Sequence, residues 1–199
     1  MLIYLIRIAF GLLGLTAVIF QFQAGLSRPT FNPINFFSYF TILSNLLFAI
    51  LLLLTGWSKT AYTKTTPVRG ATTLYMIITG LVYITLLRGL EESLQTPIPW
   101  VNTVLHYIMP TFSLINWLIF IPRYSLRRIH ALLWLVFPLV YLVYSLVRGR
   151  YTDFYPYPFL NVTTQGIGNV LFISFVIMIV FVILSIILRF LFNRLQTYR

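Results

Sequence analysis

The polar side chains with the best spacing for chemistry lie in the segment 38–47, which reads SYFTILSNLL. This segment opens an uncharged run from residue 36 to 57 that is long enough to cross a bilayer as a helix. At about 100° per residue, Ser38, Thr41 and Asn45 share one face of that helix, whereas Ser44 points elsewhere. A threonine hydroxyl becomes an effective nucleophile when a base removes its proton. Bonds to the same helical turn or to a neighbouring helix are the plainer interpretation of each hydroxyl.

A base at matching depth comes from a later apolar run. Its polar residues recur on one helical face and are Asn102, His106, Ser113 and Asn116. If both runs enter the membrane from the same side, Thr41 and His106 each lie about six residues, or roughly 9 Å, below the entrance. A histidine can take the proton of a hydroxyl and return it to a leaving alcohol, and an ionisable residue within a membrane indicates function. A neutral His106 bonded to a backbone carbonyl or to Asn102 would instead be a packing residue.

Composition places these residues in a polytopic membrane protein. The chain has 199 residues, of which 59% are hydrophobic and 9% charged, and its mean hydropathy is +0.90. The net charge of +11 comes from 14 basic and 3 acidic residues. The charges fall in short connections between apolar runs, which indicates topology and contact with anionic lipid rather than nucleic acid. The chain has no cysteine, which excludes disulfides and thiolate chemistry.

Six apolar runs would position the candidate residues. Because every spanning segment must satisfy its own backbone, they predict an all-α, single-domain bundle of six transmembrane helices over residues 1–199. The expected helices are 2–22, 36–57, 71–90, 101–121, 129–147 and 166–192. With both termini on one side, that side carries 10 of the 14 lysines and arginines, so both termini are predicted to be cytoplasmic. Thr41 and His106 then lie nearer the outer face of a membrane that we expect to be a bacterial plasma membrane.

The connection 149–165, read as GRYTDFYPYPFLNVTTQ, is predicted to lie on the outer side. Its prolines oppose a helix, and aromatic residues are interleaved with them. Such a loop forms either an interfacial aromatic belt or a lid that shields a polar site from water. An inward-folded loop would also bring an acid to orient His106 as a third catalytic member. The candidate lid residues are Asp153, Tyr155, Tyr157, Pro158 and Phe159.

Metal, cofactor and nucleotide chemistry find no support in the sequence. His130 is predicted at the opposite end of the bundle from His106, and the acids fall only in outer connections, so no metal-ligand cluster is expected. No glycine-rich phosphate loop and no G-x-S-x-G turn is present. We therefore expect no cofactor, no metal and no nucleic-acid partner. The sequence leaves the oligomeric state open.

The SYFTILSNLL segment and the YPYPFL loop resemble the bacterial six-helix family called Pr6Pr. More distantly, the chain is similar to the androgen-induced FAR-17a-like family of membrane threonine hydrolases, whose substrates are fatty acid esters of hydroxy fatty acids. The resemblance places the family's threonine on Thr41 and its histidine on His106, with Asn102 four residues earlier as in the N-x-x-x-H pattern. It implies that these two residues act together in ester hydrolysis.

The leading hypothesis is thus a membrane-embedded hydrolase of lipid or fatty-acyl esters, with membrane lipids or an acyl ester as the partner. Thr41 would be the nucleophile and His106 the base, while Asn45 or Asn102 would donate to the oxyanion or hold the imidazole. The alternative is a transporter of a lipid or small molecule with His106 as a proton relay. Polar residues of the third run would then line its route, namely Thr72, Tyr75, Thr79 and Tyr83. A membrane assembly protein without chemistry is a third possibility.

Overall fold

The protein is helical in every regular element of the described residues. The computed structural model describes residues 2–91, 98–121 and 124–197. Eleven α-helices occupy these ranges, joined by turns and short loops. The all-α prediction is confirmed for this part of the chain.

Five helical segments in the described part are long and apolar enough to cross a membrane. They are α1 (Leu2–Leu26), α3 (Phe40–Trp57), the segment Thr66–Leu87, the segment Arg128–Thr152 and α11 (Ile167–Thr197). The segment Thr66–Leu87 consists of α5 (Thr66–Val82) and a π-helical turn, Tyr83–Leu87, and Arg128–Thr152 consists of α8 (Arg128–Leu133) and α9 (Val136–Thr152). Their length and apolar character are consistent with an integral membrane protein.

The predicted helix 101–121 is observed as three consecutive pieces. These are α6 (Pro99–Thr103), a π-helical turn (Val104–Ile108) and α7 (Met109–Ile119). Pro110 has no N–H to give to the carbonyl of His106, so regular α-helical bonding cannot continue through this point. The segment is buried along one side, including His106, Ser113 and Asn116.

Several predicted boundaries are wrong, most clearly that of the run 36–57. The chain forms the short α2 (Pro33–Phe36), breaks at residues 37–39 and restarts as α3. The side chain of Asn32 caps α2 by accepting from the N–H groups of Ile34 and Asn35. Ser38 therefore precedes α3. The prediction that it shares a helical face with Thr41 is wrong.

The run predicted as 129–147 also differs from the structure. A turn at residues 134–135 separates α8 from α9, and α9 continues to Thr152, which makes the predicted loop 149–165 begin too early. Pro138 cannot donate to the carbonyl of Trp134, which instead accepts from the Tyr75 hydroxyl at 2.9 Å. The remaining predicted runs shift by a few residues at their ends, with α5 starting at Thr66 and α11 ending at Thr197.

Helix α3 lies between two hydrophobic clusters. Phe40 packs into a cluster with residues of α5, α9 and α11, whereas Ile42 packs into a second cluster with α1, α6 and α7. Glycines let α1 approach α3 closely, since a Cβ on Gly11 would stand 3.0 Å from the Ala49 carbonyl oxygen. Thr41, between Phe40 and Ile42, consequently lies where the two clusters meet.

Candidate functional site

The structure brings Thr41 and His106 together. The Thr41 Oγ1 lies 3.4 Å from the His106 Nε2, and both side chains are buried, with exposed fractions of 8% and 4%. Thr41 is the second residue of α3, and His106 is in the π-helical turn before α7. The separation is at the long end of hydrogen bonding, as is common for catalytic pairs without substrate.

Two contacts orient the His106 ring. Its Nδ1 lies 3.2 Å from the backbone oxygen of Asn102. Because a carbonyl oxygen can only accept, Nδ1 carries the proton and the lone pair of Nε2 faces Thr41. The ring also stacks on Tyr83, with centroids 4.1 Å apart and planes inclined by 19°. Tyr83 and His106 each belong to a π-helical turn, a feature frequent at functional sites.

The carboxylate of Glu91, to which no sequence pattern pointed, supports the Tyr83 ring in this stack. The Tyr83 hydroxyl donates to the Glu91 carboxylate at 2.5 Å, and the Asn102 side-chain amide donates to the same hydroxyl at 2.5 Å. The hydrogen bond from Tyr83, with a second from the Gly89 N–H, lowers the pKa of Glu91 to about 2. Glu91 therefore stays ionised at neutral pH and fixes the tyrosine that supports His106. Only the position of Tyr83 on the third run hinted at this arrangement.

Tyr157 approaches Thr41 from the aromatic loop, which we define as residues 153–161. Its hydroxyl accepts from the Thr41 N–H at 3.1 Å and lies 3.3 Å from Thr41 Oγ1. Burial raises the pKa of the Tyr157 phenol, so its proton is retained near neutral pH. One set of donors and acceptors then satisfies all three contacts. The Thr41 N–H donates to the Tyr157 oxygen, the Tyr157 hydroxyl donates to Thr41 Oγ1, and Oγ1 donates to His106 Nε2.

The two asparagines proposed as oxyanion donors have other partners. The Asn45 amide donates to the Thr41 carbonyl at 2.9 Å and to the Leu105 carbonyl at 3.2 Å. It therefore ties α3 to the π-helical turn that carries His106. The Asn102 amide is committed to Tyr83. Both residues position the site rather than present a free donor to it.

The serines of the SYFTILSNLL segment lie outside the pair. The Ser38 hydroxyl donates to the Ile34 carbonyl and contacts the Tyr144 hydroxyl, so it holds the break between α2 and α3. Ser44 is fully buried and bonds the hydroxyl of Thr79 at 2.9 Å, which links α3 to α5. The prediction that Ser38 accompanies Thr41 and Asn45 on one helical face is wrong, because α3 begins only at Phe40.

A mostly apolar cavity opens beside Thr41. Its empty volume is about 630 Å³, and it lies between α3, α5, α9, α11 and the aromatic loop. His106 reaches Thr41 from the π-helical turn Val104–Ile108 and does not line this cavity. Five hydroxyl-bearing residues line it, and they are Thr41, Thr79, Tyr141, Tyr157 and Ser174. Most of the lining is thus apolar, and Thr41 is one of the few polar residues that face it.

The aromatic loop covers one side of this cavity, but its members have different positions. Tyr157 and Phe159 line the cavity, and their rings lie parallel at 5.3 Å. Tyr155 packs on Gly149, where a Cβ would collide with its ring. Pro158 is exposed. Asp153 is also exposed, at the left-handed end of α9, so the structure does not bring it to His106 as a third member.

The polar residues that a transport route would use have structural partners. The Thr72 hydroxyl donates to the Arg69 carbonyl, and the Thr79 hydroxyl donates to the Tyr75 carbonyl. Tyr75 and Tyr83 donate to Trp134 and Glu91 as described above. Within the described residues, no three histidine, aspartate or glutamate side chains gather as a metal site would require.

The comparisons with known proteins found no match for this chain. The chain matches no protein-family model, and neither a curated protein nor a solved structure matches it significantly.

Proposed function

We propose that the protein is a membrane-embedded hydrolase of lipid or fatty-acyl esters. The observation that carries the proposal is the placement of the Thr41 hydroxyl between the His106 Nε2, at 3.4 Å, and the apolar cavity. A hydroxyl beside an oriented base is the arrangement required for nucleophilic catalysis. The distant resemblance to the membrane threonine hydrolases, whose threonine would fall on Thr41 and whose histidine on His106, agrees with it.

In the proposed reaction, Thr41 Oγ1 attacks the ester carbonyl carbon while its proton passes to His106 Nε2. The tetrahedral intermediate collapses, the bond to the alcohol oxygen breaks, and the leaving alcohol takes the proton from His106. Water then attacks the acyl-threonine, again giving a proton to His106, which returns it to Oγ1 as the carboxylic acid leaves. The enzyme is regenerated and one water is consumed.

Tyr157 is the proposed donor to the oxyanion. Tyr157 lines the cavity, and its hydroxyl lies 3.3 Å from Thr41 Oγ1, so in the proposed reaction this hydroxyl is near the carbonyl oxygen of the ester that Thr41 attacks. Asn45 and Asn102 have committed amides, which leaves the phenol as the better candidate. Removal of one such donor from other hydrolases lowers the rate by about 10² to 10³.

The proposed topology has six spans, with both termini cytoplasmic and 99–119 as the fourth span. His106, Ser113 and Asn116 of that segment are buried in protein, which makes a less hydropathic span tolerable. The majority of lysines and arginines then lies on the cytoplasmic side. In this orientation the site opens toward the outer leaflet of what we propose is a bacterial plasma membrane, and an acyl chain enters from there.

A fluorophosphonate probe tests the proposal, because it labels hydroxyls that a neighbouring base activates. We expect the purified full-length protein to be labelled at Thr41, with labelling lost in Thr41→Ala and in His106→Gln. Ser174→Ala is the matched control, since Ser174 is a second buried hydroxyl on the same cavity. Unchanged labelling of Thr41→Ala would exclude the assignment. Substrate flux into proteoliposomes that needs His106 but not Thr41 would favour the transporter instead.

A further inference from the structure

Two buried arginines flank one tyrosine at the end of the protein opposite Thr41. Tyr62 lies on α4 (Lys59–Lys64), just beyond the end of α3. The Arg7 Cζ and the Arg69 Cζ each stand 3.6 Å from the Tyr62 ring centroid. Arg7 and Arg69 are only 1% and 3% exposed. Since α3 spans roughly 27 Å, this cluster is far from the Thr41 site and independent of the proposed hydrolysis.

The hydrogen bonds of Arg69 leave much of its guanidinium without an acceptor. Its Nη2 donates to the Tyr62 hydroxyl at 2.6 Å and to the Phe120 carbonyl at 3.2 Å. Its Nε and Nη1, which carry three of the five N–H donors of a guanidinium, have no partner among the described residues. A buried charge with unpaired donors is unfavourable unless an acceptor is supplied.

The described residues around Arg7 and Arg69 also carry too little negative charge to balance the two guanidinium groups. The acids in the described part of the chain are Glu91 and Asp153, and neither belongs to α1, α4, α5 or α7. Burial raises the pKa of Tyr62, so the phenol is neutral. Arg7 donates to the neutral Asn116 side chain at 3.1 Å. The carboxyl end of α7 offers a partial charge of about one half against two full positive charges.

We infer that Arg7 and Arg69 form a binding site for a phosphate-type oxyanion, supplied by an anionic lipid headgroup or by free phosphate. Guanidinium groups are the preferred ligands of phosphate oxygens. Basic pockets between membrane helices bind lipid headgroups on the side where lysine and arginine predominate. Tyr62, whose ring both guanidiniums contact, is the one buried side chain of the six-residue α4, so in this proposal an anion enters the site where this short helix covers it.

The site is tested with full-length protein purified in neutral detergent and stripped of lipid. Native mass spectrometry and thermal unfolding follow additions of phosphatidylglycerol, the matching diacylglycerol without phosphate, and inorganic phosphate. We expect saturable binding of one phosphatidylglycerol with a rise in Tm, and none with diacylglycerol. Stabilisation by inorganic phosphate, and its competition with the lipid, would identify free phosphate as the ligand, whereas lipid binding that phosphate does not affect would identify the headgroup.

Variants of Arg69 assign the binding to this cluster. Arg69→Gln should weaken the apparent affinity at least tenfold, whereas Arg128→Gln, which removes an exposed charge from α8, should leave it unchanged. Arg69→Lys keeps the charge but loses the planar donor array, and it provides a folded variant if Arg69→Gln is unstable. Absence of saturable binding of both phosphatidylglycerol and phosphate to the wild type would overturn the inference. Equal binding by the wild type and either Arg69 variant would overturn it too.

Discussion

The imidazole of His106 lies on the phenol ring of Tyr83, at 4.1 Å between centroids, while its Nε2 faces the Thr41 hydroxyl. The ring that would act as the base is thus held by a residue that does not contact the nucleophile. Tyr83 is in turn fixed by the Glu91 carboxylate and the Asn102 amide. Tyr83, Glu91 and Asn102 thus hold His106 beside Thr41, and the contribution of each can be tested by its own substitution.

Substitution of the nucleophile should separate chemistry from folding. Thr41→Ser keeps the hydroxyl and should retain measurable hydrolysis of a long-chain acyl ester, whereas Thr41→Ala should reduce it to background. Both variants should unfold within a few degrees of the wild type, because only small groups are removed. Activity of Thr41→Ala near that of Thr41→Ser would contradict the proposed role.

Loss of the Tyr157 hydroxyl should affect the chemical step. Tyr157→Phe keeps the ring stacking on Phe159 and removes the donor next to Thr41. We expect kcat to fall by about 10² to 10³ with little change in KM. Tyr155→Phe removes a hydroxyl from the same loop, at a side chain that packs on Gly149, and should be nearly neutral. An equal loss in both variants would indicate a loop defect rather than an oxyanion donor.

The low pKa of Glu91 predicts a pH-dependent contribution to stability. Because hydrogen bonds in the folded state lower the Glu91 pKa to about 2 from 4.5, its contribution is complete above about pH 4.5 and is lost as the pH falls toward 2. Thermal unfolding in detergent should show Glu91→Gln below the wild type at pH 6, with the difference shrinking toward pH 3. Tyr83→Phe removes the principal hydrogen bond and should behave in the same way. A difference that grows on acidification would refute this assignment.

The close approach of α5 to the His106 backbone should tolerate little added volume. A Cβ at Gly80 would stand 3.1 Å from the His106 carbonyl oxygen and 3.1 Å from the Pro110 Cβ. We expect Gly80→Val to lower the free energy of unfolding by about 1–3 kcal/mol and to reduce hydrolysis by moving His106. Gly168→Ala is the control, since nothing lies within 4 Å of a Cβ there. Full activity of Gly80→Val would show that His106 needs no such approach.

The sequence allows the principal pair, because helical rise and entry side place Thr41 and His106 at a similar depth, and the family resemblance names the two as partners. It could not predict Tyr157 as their neighbour, since the direction of a side chain in a proline-containing loop depends on what the loop packs against. The support by Glu91 was missed for a similar reason: it depends on a π-helical turn that ends α5 and brings Gly89 and Glu91 back toward Tyr83.

The errors in helix boundaries share a physical origin. Hydrophobic periodicity reports apolar length but not where backbone bonding stops, so the break at residues 37–39 was read as continuous helix. Ser38 was thereby assigned to the wrong element. Asp153 would need an inward-folded loop to reach His106, but α9 continues to Thr152 and leaves Asp153 exposed on the surface.

The break in the helix before α3 determines which group accepts the backbone N–H of the proposed nucleophile, Thr41. In an unbroken helix, the amide hydrogen of Thr41 would be consumed by the carbonyl four positions earlier. Restarting at Phe40 frees that hydrogen for the Tyr157 oxygen. Movement of Tyr157 away from Thr41 therefore removes the acceptor of this backbone N–H, which couples the position of the aromatic loop to the first turn of α3.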